Sequence, residues 1–180
     1  MVKEKCLDED MCVYTYDKSL EERKKELLDM VMEENSVYEY KIDNEHDKLF
    51  KDLLSDSEET RKFINKFLKL EEPIKENELE LYNSSYITTE YKSKEADVVY
   101  KKKNEDIYFL IEHQSTIDVS MPYRIKNYVI EILRTAVDKS KIHQKGYKYP
   151  LVIPIVLYTG SKKWSAKLKF EDMQTQLPRI

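Results

Sequence analysis

The residues best able to do chemistry lie in the middle of the chain. Asp97 is followed, after a polar stretch, by Tyr108-Phe-Leu-Ile-Glu112-His-Gln114-Ser115. An apolar run that passes directly into four polar residues is the pattern of a buried strand ending at a site. Residues 96–100 and 107–114 are rich in β-branched and aromatic types, and the polar stretch 101–106 between them contains Asn104. Together they predict a β-hairpin with a tight turn. With the turn centred between Asn104 and Glu105, Val99 faces Leu110 and Asp97 faces Glu112. Opposed residues have Cβ atoms about 4.5–5.5 Å apart, so two carboxylates there repel unless a cation or a proton intervenes. Side chains alternate along a strand, which puts Gln114 on the face of Glu112 and His113 on the other. Two carboxylates with the backbone carbonyl of His113, leaving positions open for water and phosphate, suit a hard divalent ion such as magnesium. The competing explanation is a pair of solvated acids at strand ends. The direct step from core run to polar cluster weighs against it.

The surrounding elements must hold that hairpin. Residues 1 to about 17 show no periodicity and are expected to lack regular structure. Ser19 with Glu22 forms a capping box ahead of Leu20, Leu27, Leu28 and Val31, which predicts a helix near 19–33. From Glu45, the residues Leu49, Phe50, Leu53 and Leu54 fall at helical spacing. Ser55 with Glu58 then caps a second helix carrying Phe63, Ile64, Phe67 and Leu68, which ends before Pro73. A short strand is expected near 78–82. Pro122 opens a long amphipathic helix through Ile125, Tyr128, Val129, Ile132, Leu133 and Ala136. The almost wholly apolar run Leu151–Tyr158 reads as a strand buried on both faces.

Composition narrows the classes. The 180 residues, 41% hydrophobic, are enough for one sizeable core, and 37% charged residues with two glycines argue against Gly-rich phosphate loops and β-sandwiches. A mixed α/β domain is expected. Cys6 and Cys12 have no zinc-spaced partners, and no apolar run approaches a membrane span, so a cytoplasmic protein with no membrane partner is expected. His46-Asp47 is similar to the start of a metal phosphohydrolase motif, but such sites need further histidines and only His113 and His143 remain. Charge is uneven: residues 1–90 carry a net −11 and residues 91–180 a net +7. A basic half beside an acidic one points to a polyanion-facing surface, or to no more than a lysine-rich exterior.

His46-Asp47-Lys-Leu-Phe50, Ala96-Asp97-Val-Val-Tyr100, Leu110-Ile-Glu112-His-Gln114-Ser115, Met121 with Arg124 and Tyr128, and Pro150-Leu-Val-Ile-Pro154-Ile-Val-Leu-Tyr158-Thr-Gly160 together resemble the Rpn family. These are recombination-promoting, transposase-like nucleases of the PD-(D/E)XK superfamily. The resemblance spans roughly residues 44–164. It implies an αβββαβ restriction-endonuclease-like core, a mixed sheet flanked by helices, over residues 41–180, with residues 1–40 as an extension. Members continue well past this chain's end, so a core truncated at its C-terminus is expected.

By that resemblance Asp97 and Glu112 are metal ligands, and Gln114 takes the position usually held by lysine. A glutamine can orient a water but brings no positive charge. Asp47, with Glu45 behind it, is the candidate for an additional acid, and Arg124 for a phosphate contact. The expected activity is magnesium-dependent hydrolysis of DNA, with Lys101, Lys102, Lys103 and the 139–148 loop touching the backbone. Assembly as a homodimer is left open. The alternative is a catalytically degenerate copy that serves as a DNA- or protein-binding module, favoured by the missing lysine and the overall acidity.

Overall fold

The computed structural model describes residues 2–7, 11–16, 54–68, 70–82 and 98–175. Asp47, Asp97, the helix expected over 19–33 and nearly all of the helix expected from Glu45 lie outside the described residues.

The hairpin forms where alternation and turn chemistry required it. Strand β4 is Val98–Lys102 and β5 is Ile107–Gln114. Asn104 adopts the left-handed conformation at φ 62°, which an Asn tolerates better than most residues, and Glu105 N–H closes the turn on the Lys102 carbonyl at 3.2 Å. The antiparallel register pairs Val98 with Ile111, Val99 with Leu110, Tyr100 with Phe109 and Lys101 with Tyr108, as the turn position predicted. β4 runs two residues further toward the turn than the expected strand did, because the pairing continues through Lys101 and Lys102.

Strand β3, Leu79–Leu81, pairs antiparallel with β4, and β6, Leu151–Tyr158, pairs parallel with β5 along its full length. The chain enters with a difference from expectation. Val2–Leu7 and Met11–Tyr16 form an antiparallel hairpin, β1 and β2, in the segment expected to lack regular structure. Met11-Cys-Val-Tyr-Thr-Tyr16 is rich in strand-forming residue types, yet too short to declare a period. β2 lies parallel to β6, giving a six-stranded mixed sheet in the order β1-β2-β6-β5-β4-β3. Pro154 has no N–H to offer a ladder, and it sits just ahead of Ile155–Leu157, where β2 pairs.

Helices cover both faces of the sheet. Helix α1, Ser57–Leu68, is capped by Asp56, whose carboxylate accepts from Glu58 N–H at 2.8 Å and Glu59 N–H at 3.0 Å, in place of the expected Ser55 cap. It packs Ile64 and Phe67 with Leu54 and Ile74 onto Tyr100, Phe109, Ile111, Ile155 and Leu157. Helix α2, Met121–Ala136, packs Met121, Ile125, Tyr128 and Ile132 onto Val99, Tyr108, Leu110, Val156 and Tyr158. The odd residues of β5 therefore face α1, and the even ones face α2. β6 is buried from Pro154 onward, but Leu151 at its start is 53% exposed, so burial on both faces holds only for the second half of the strand.

Tyr100 ties the two layers on the α1 side. Its hydroxyl donates to the Leu54 carbonyl at 2.7 Å, and burial pushes its pKa up against a smaller opposing effect of Thr60. Tyr100→Phe removes one buried hydrogen bond from an acceptor that keeps the Thr60 hydroxyl at 3.3 Å. The expected loss is about 1 kcal/mol in urea-unfolding free energy with the m-value unchanged.

Candidate active site

Glu112 lies on the even face of β5, at the end of the strand and under the start of α2. It is 1% exposed. An ionised carboxylate in such a place needs a cation or several donors, because dehydration of the charge is otherwise too costly. Arg124, from the first turns of α2, meets that need: its Nη2 donates to Glu112 Oε1 in a close ion pair. Gln114, two residues along on the same face, brings its amide nitrogen to 3.5 Å from the same oxygen, at the long limit of a hydrogen bond. His113 belongs to the opposite face, and its Nε2 is 2.9 Å from the Thr159 hydroxyl.

The guanidinium has further partners. Nη1 donates to Asp118 Oδ2 at 2.9 Å and Nη2 to the Tyr128 hydroxyl at 3.2 Å, while Nε is buried with no hydrogen-bond partner among the described residues. Burial alone would lower the Arg124 pKa, but the Glu112 charge and the bonds to Tyr128 and Asp118 outweigh it and hold the group above its ordinary value. Asp118 has its own support: Oδ1 accepts from Ser120 N–H at 2.8 Å and from Ser120 Oγ at 2.6 Å. Burial pushes the Asp118 carboxyl up, and the Ser120 and Arg124 hydrogen bonds together hold it below its ordinary value. The Asp118–Ser120 turn thus sets the entry of α2 and aims Arg124 at the end of β5.

The neighbouring strand end closes the site. Thr159 N–H donates to the Gln114 carbonyl at 2.9 Å. A Cβ on Gly160 would lie 2.6 Å from the Ser115 carbonyl and 2.3 Å from the Tyr158 hydroxyl, so only glycine allows this close approach. Tyr158 in turn donates to the Lys162 carbonyl at 2.7 Å.

Of the expected site residues, the structure brings Glu112, Gln114 and Arg124 together. Asp97 and Asp47 lie outside the described residues. Lys101, Lys102 and Lys103 sit at the turn end of the hairpin, four residues or more along the ladder from Glu112, or about 13 Å at the usual rise. There Lys101 is 3.7 Å from Asp106 and Lys102 is 2.5 Å from Glu105. The 139–148 loop feeds β6 at Leu151, opposite Ile107, and so belongs to that same distant end. Asp118 escaped the sequence reading. The Asp-x-Ser step ahead of Pro122 was its only local signal, and its pairing with Arg124 is set by the turn.

Among the described residues, no three His, Cys, Asp or Glu side chains cluster in the manner of a metal site. The donor set present still suits a hard ion in part: a buried carboxylate that already recruits a cation, beside a side-chain amide. No helix among the described residues is long and apolar enough to cross a membrane.

Two consequences are measurable. Arg124→Met takes the guanidinium from the buried Glu112 and is expected to cost about 3–5 kcal/mol, whereas Arg124→Met combined with Glu112→Gln recovers part of it, a coupling that a double-mutant cycle by urea unfolding reads directly. The folded-state pKa of Asp118 is depressed, so its contribution to stability is present above the ordinary aspartate pKa and is lost as pH falls through the lowered one. Asp118→Asn should therefore lower the urea midpoint at pH 7 and show a shallower loss on acidification than the parent chain.

Comparison with known proteins gives the family. The family model described as "Putative transposase, YhgA-like" matches residues 44–178. The chain is 30% identical over 129 residues to Recombination-promoting nuclease RpnD of Escherichia coli O157:H7, covering 67% of this chain and 48% of that protein. It is 33% identical over 124 residues to Recombination-promoting nuclease RpnA of Escherichia coli strain K12, covering 64% of this chain and 40% of that protein. Inactive recombination-promoting nuclease-like protein RpnE, from the same strain, is 30% identical over 124 residues, covering 64% of this chain and 39% of that protein. The chain thus spans less than half the length of each of these relatives. No solved structure matches it. By the extent of the family match, and by its kinship with the recombination-promoting nucleases, the chain belongs to the YhgA-like transposase family.

Proposed function

We propose that the protein is a metal-dependent DNA endonuclease of the PD-(D/E)XK type, hydrolysing phosphodiesters at the end of β5. The observation that carries this reading is Glu112: a carboxylate 1% exposed, facing a guanidinium, with the Gln114 amide beside it. A charge so placed is poorly explained by stability, since a buried ion pair is commonly matched or exceeded by apolar residues of the same volume. The observed register supports Asp97 as the second acid, because its last described pair is Val98 with Ile111 and the next step would oppose Asp97 to Glu112.

On this reading Asp97, Glu112 and the carbonyl of His113 would hold a magnesium ion, which when bound supplies Lewis acidity toward the phosphodiester. Gln114 orients the attacking water through its amide. Arg124 contacts a non-bridging phosphate oxygen as negative charge grows there. Lys101, Lys102, Lys103 and the basic 139–148 loop extend the cationic surface along the sheet for sequence-independent contact, so binding weakens with salt. Asp47 remains the candidate for an additional acid, and self-association as a homodimer is compatible with such an enzyme.

A second reading has its own support. Arg124 already neutralises Glu112, and two relatives are named as inactive. On that reading the fold binds DNA or protein without cutting.

Plasmid nicking in magnesium by the wild-type chain, Glu112→Gln and Asp97→Asn decides between them. Glu112→Gln keeps an acceptor for Arg124, so far-UV circular dichroism should be unchanged. Nicking should fall by at least about 100-fold in each variant. Nicking that persists in pure variant protein would refute the site, and a wild-type chain that shifts DNA in a gel without cutting it would favour the binding module.

A further inference from the structure

The Arg124 guanidinium occupies the cation position of Glu112, and its remaining donors are distributed asymmetrically. Nη1 is held by Asp118 at 2.9 Å, Nη2 is on Glu112 with Tyr128 at 3.2 Å, and Nε is buried with no partner among the described residues. Nε and Nη2 form the side edge of a guanidinium, the fork that grips two oxygens of one phosphate. Half of that fork is therefore unsatisfied in this structure, and the other half is spent on Glu112. An unpaired N–H on a side chain only 11% exposed is a cost that a native fold seldom carries without use.

We propose that Arg124 is an exchangeable counter-ion: a divalent cation arriving at Glu112 displaces it, and the released Nε–Nη2 edge, still anchored through Nη1 to Asp118, takes a DNA phosphate. This rests on the reading of Glu112 as a metal ligand and adds to it how metal and DNA are coupled. Two cations cannot share a nearly dry carboxylate without repulsion that little water screens. Asp118 prevents the freed side chain from leaving for solvent, because Ser120 holds that carboxylate in place through both its N–H and its hydroxyl. The Tyr128 ring stands beside the side chain, its centroid 5.8 Å from the guanidinium carbon. Metal binding then prepares the phosphate clamp, and by linkage DNA tightens metal by the same factor that metal tightens DNA.

The test follows the Nε–H resonance of Arg124 in protein labelled with nitrogen-15 arginine. The resonance is assigned by its absence in Arg124→Lys or, if that variant does not fold, by its Overhauser contact to the Tyr128 ring. Magnesium chloride alone, titrated in parallel with calorimetry, should move this resonance by more than its linewidth, with the same midpoint as the heat. A short DNA duplex added afterwards should move it again. Magnesium heat with an unmoved Arg124 overturns the exchange while leaving the metal site standing. No heat and no shift removes the metal site itself, and with it the nuclease reading. A first shift without a second overturns the phosphate clamp.

Discussion

A carboxylate buried at the end of a strand has to be answered by a positive charge, and in this fold that requirement ties the sheet to the helix that crosses it. Glu112 comes from β5 and Arg124 from α2, while Asp118 stands in the turn between them. The apolar stripe of α2, Met121, Ile125, Tyr128 and Ile132, would pack acceptably over a range of axial positions. The ion pair is narrower in its demands: sliding α2 by one residue would take the guanidinium away from Glu112 and leave both charges dehydrated. Directional polar contacts thus choose one docking among several that the hydrophobic effect would permit. Fixing register in this way is the best-attested use of a buried polar or charged group, whose net contribution to stability is commonly small.

The sheet separates support from chemistry by parity. Odd residues of β5 build the larger apolar layer under α1, with Phe109 and Ile111 beside Tyr100, Ile155 and Leu157. Even residues begin as core, with Tyr108 and Leu110 against α2, and become polar at Glu112 and Gln114. The change happens at the C-terminal ends of the parallel pair β5 and β6, where open α/β sheets place their ligands. Gly160 lets the chain after β6 pass against Ser115, so the two strand ends stay together. The lysines of the β4–β5 turn and the 139–148 loop lie at the other end of the same ladder.

How much of this could be read from residue order depends on the range of the interaction concerned. The bounds of β5 and β6, the turn at Asn104 and the pairing of Val99 with Leu110 follow from alternation and turn chemistry, which act over a few residues. That reading also put Gln114 with Glu112 on one face. The cap of α1 moved one residue, from Ser55 to Asp56, because both residue types make good caps and only the chain path selects between them. The β1–β2 hairpin had too short a pattern to announce itself. Arg124 was legible as a helix residue near the site, but its grip on Asp118 arises from a turn whose shape no local pattern specifies. Net basic charge in the second half of the chain was plain, whereas the placement of Lys101, Lys102, Lys103 and the 139–148 loop at the end of the sheet away from Glu112 depends on topology.

Membership of a family whose names include both nucleases and an inactive nuclease-like protein shifts attention from the acids to what surrounds them. A carboxylate can be retained in an inactive copy because it is half of a buried ion pair whose loss would destabilise the fold. At Glu112 the balance of partners therefore bears on the chemistry alongside the carboxylate itself. A guanidinium shared between two carboxylates leaves one of them at lower cost than an unshared one would, since Asp118 still compensates its charge. Were Asp118 absent, Arg124 would depend on Glu112 alone and would compete with any divalent ion at full strength. The turn that positions Asp118, built on its bonds to Ser120, is accordingly the part of the site where the physical difference between a structural salt bridge and a responsive one is concentrated.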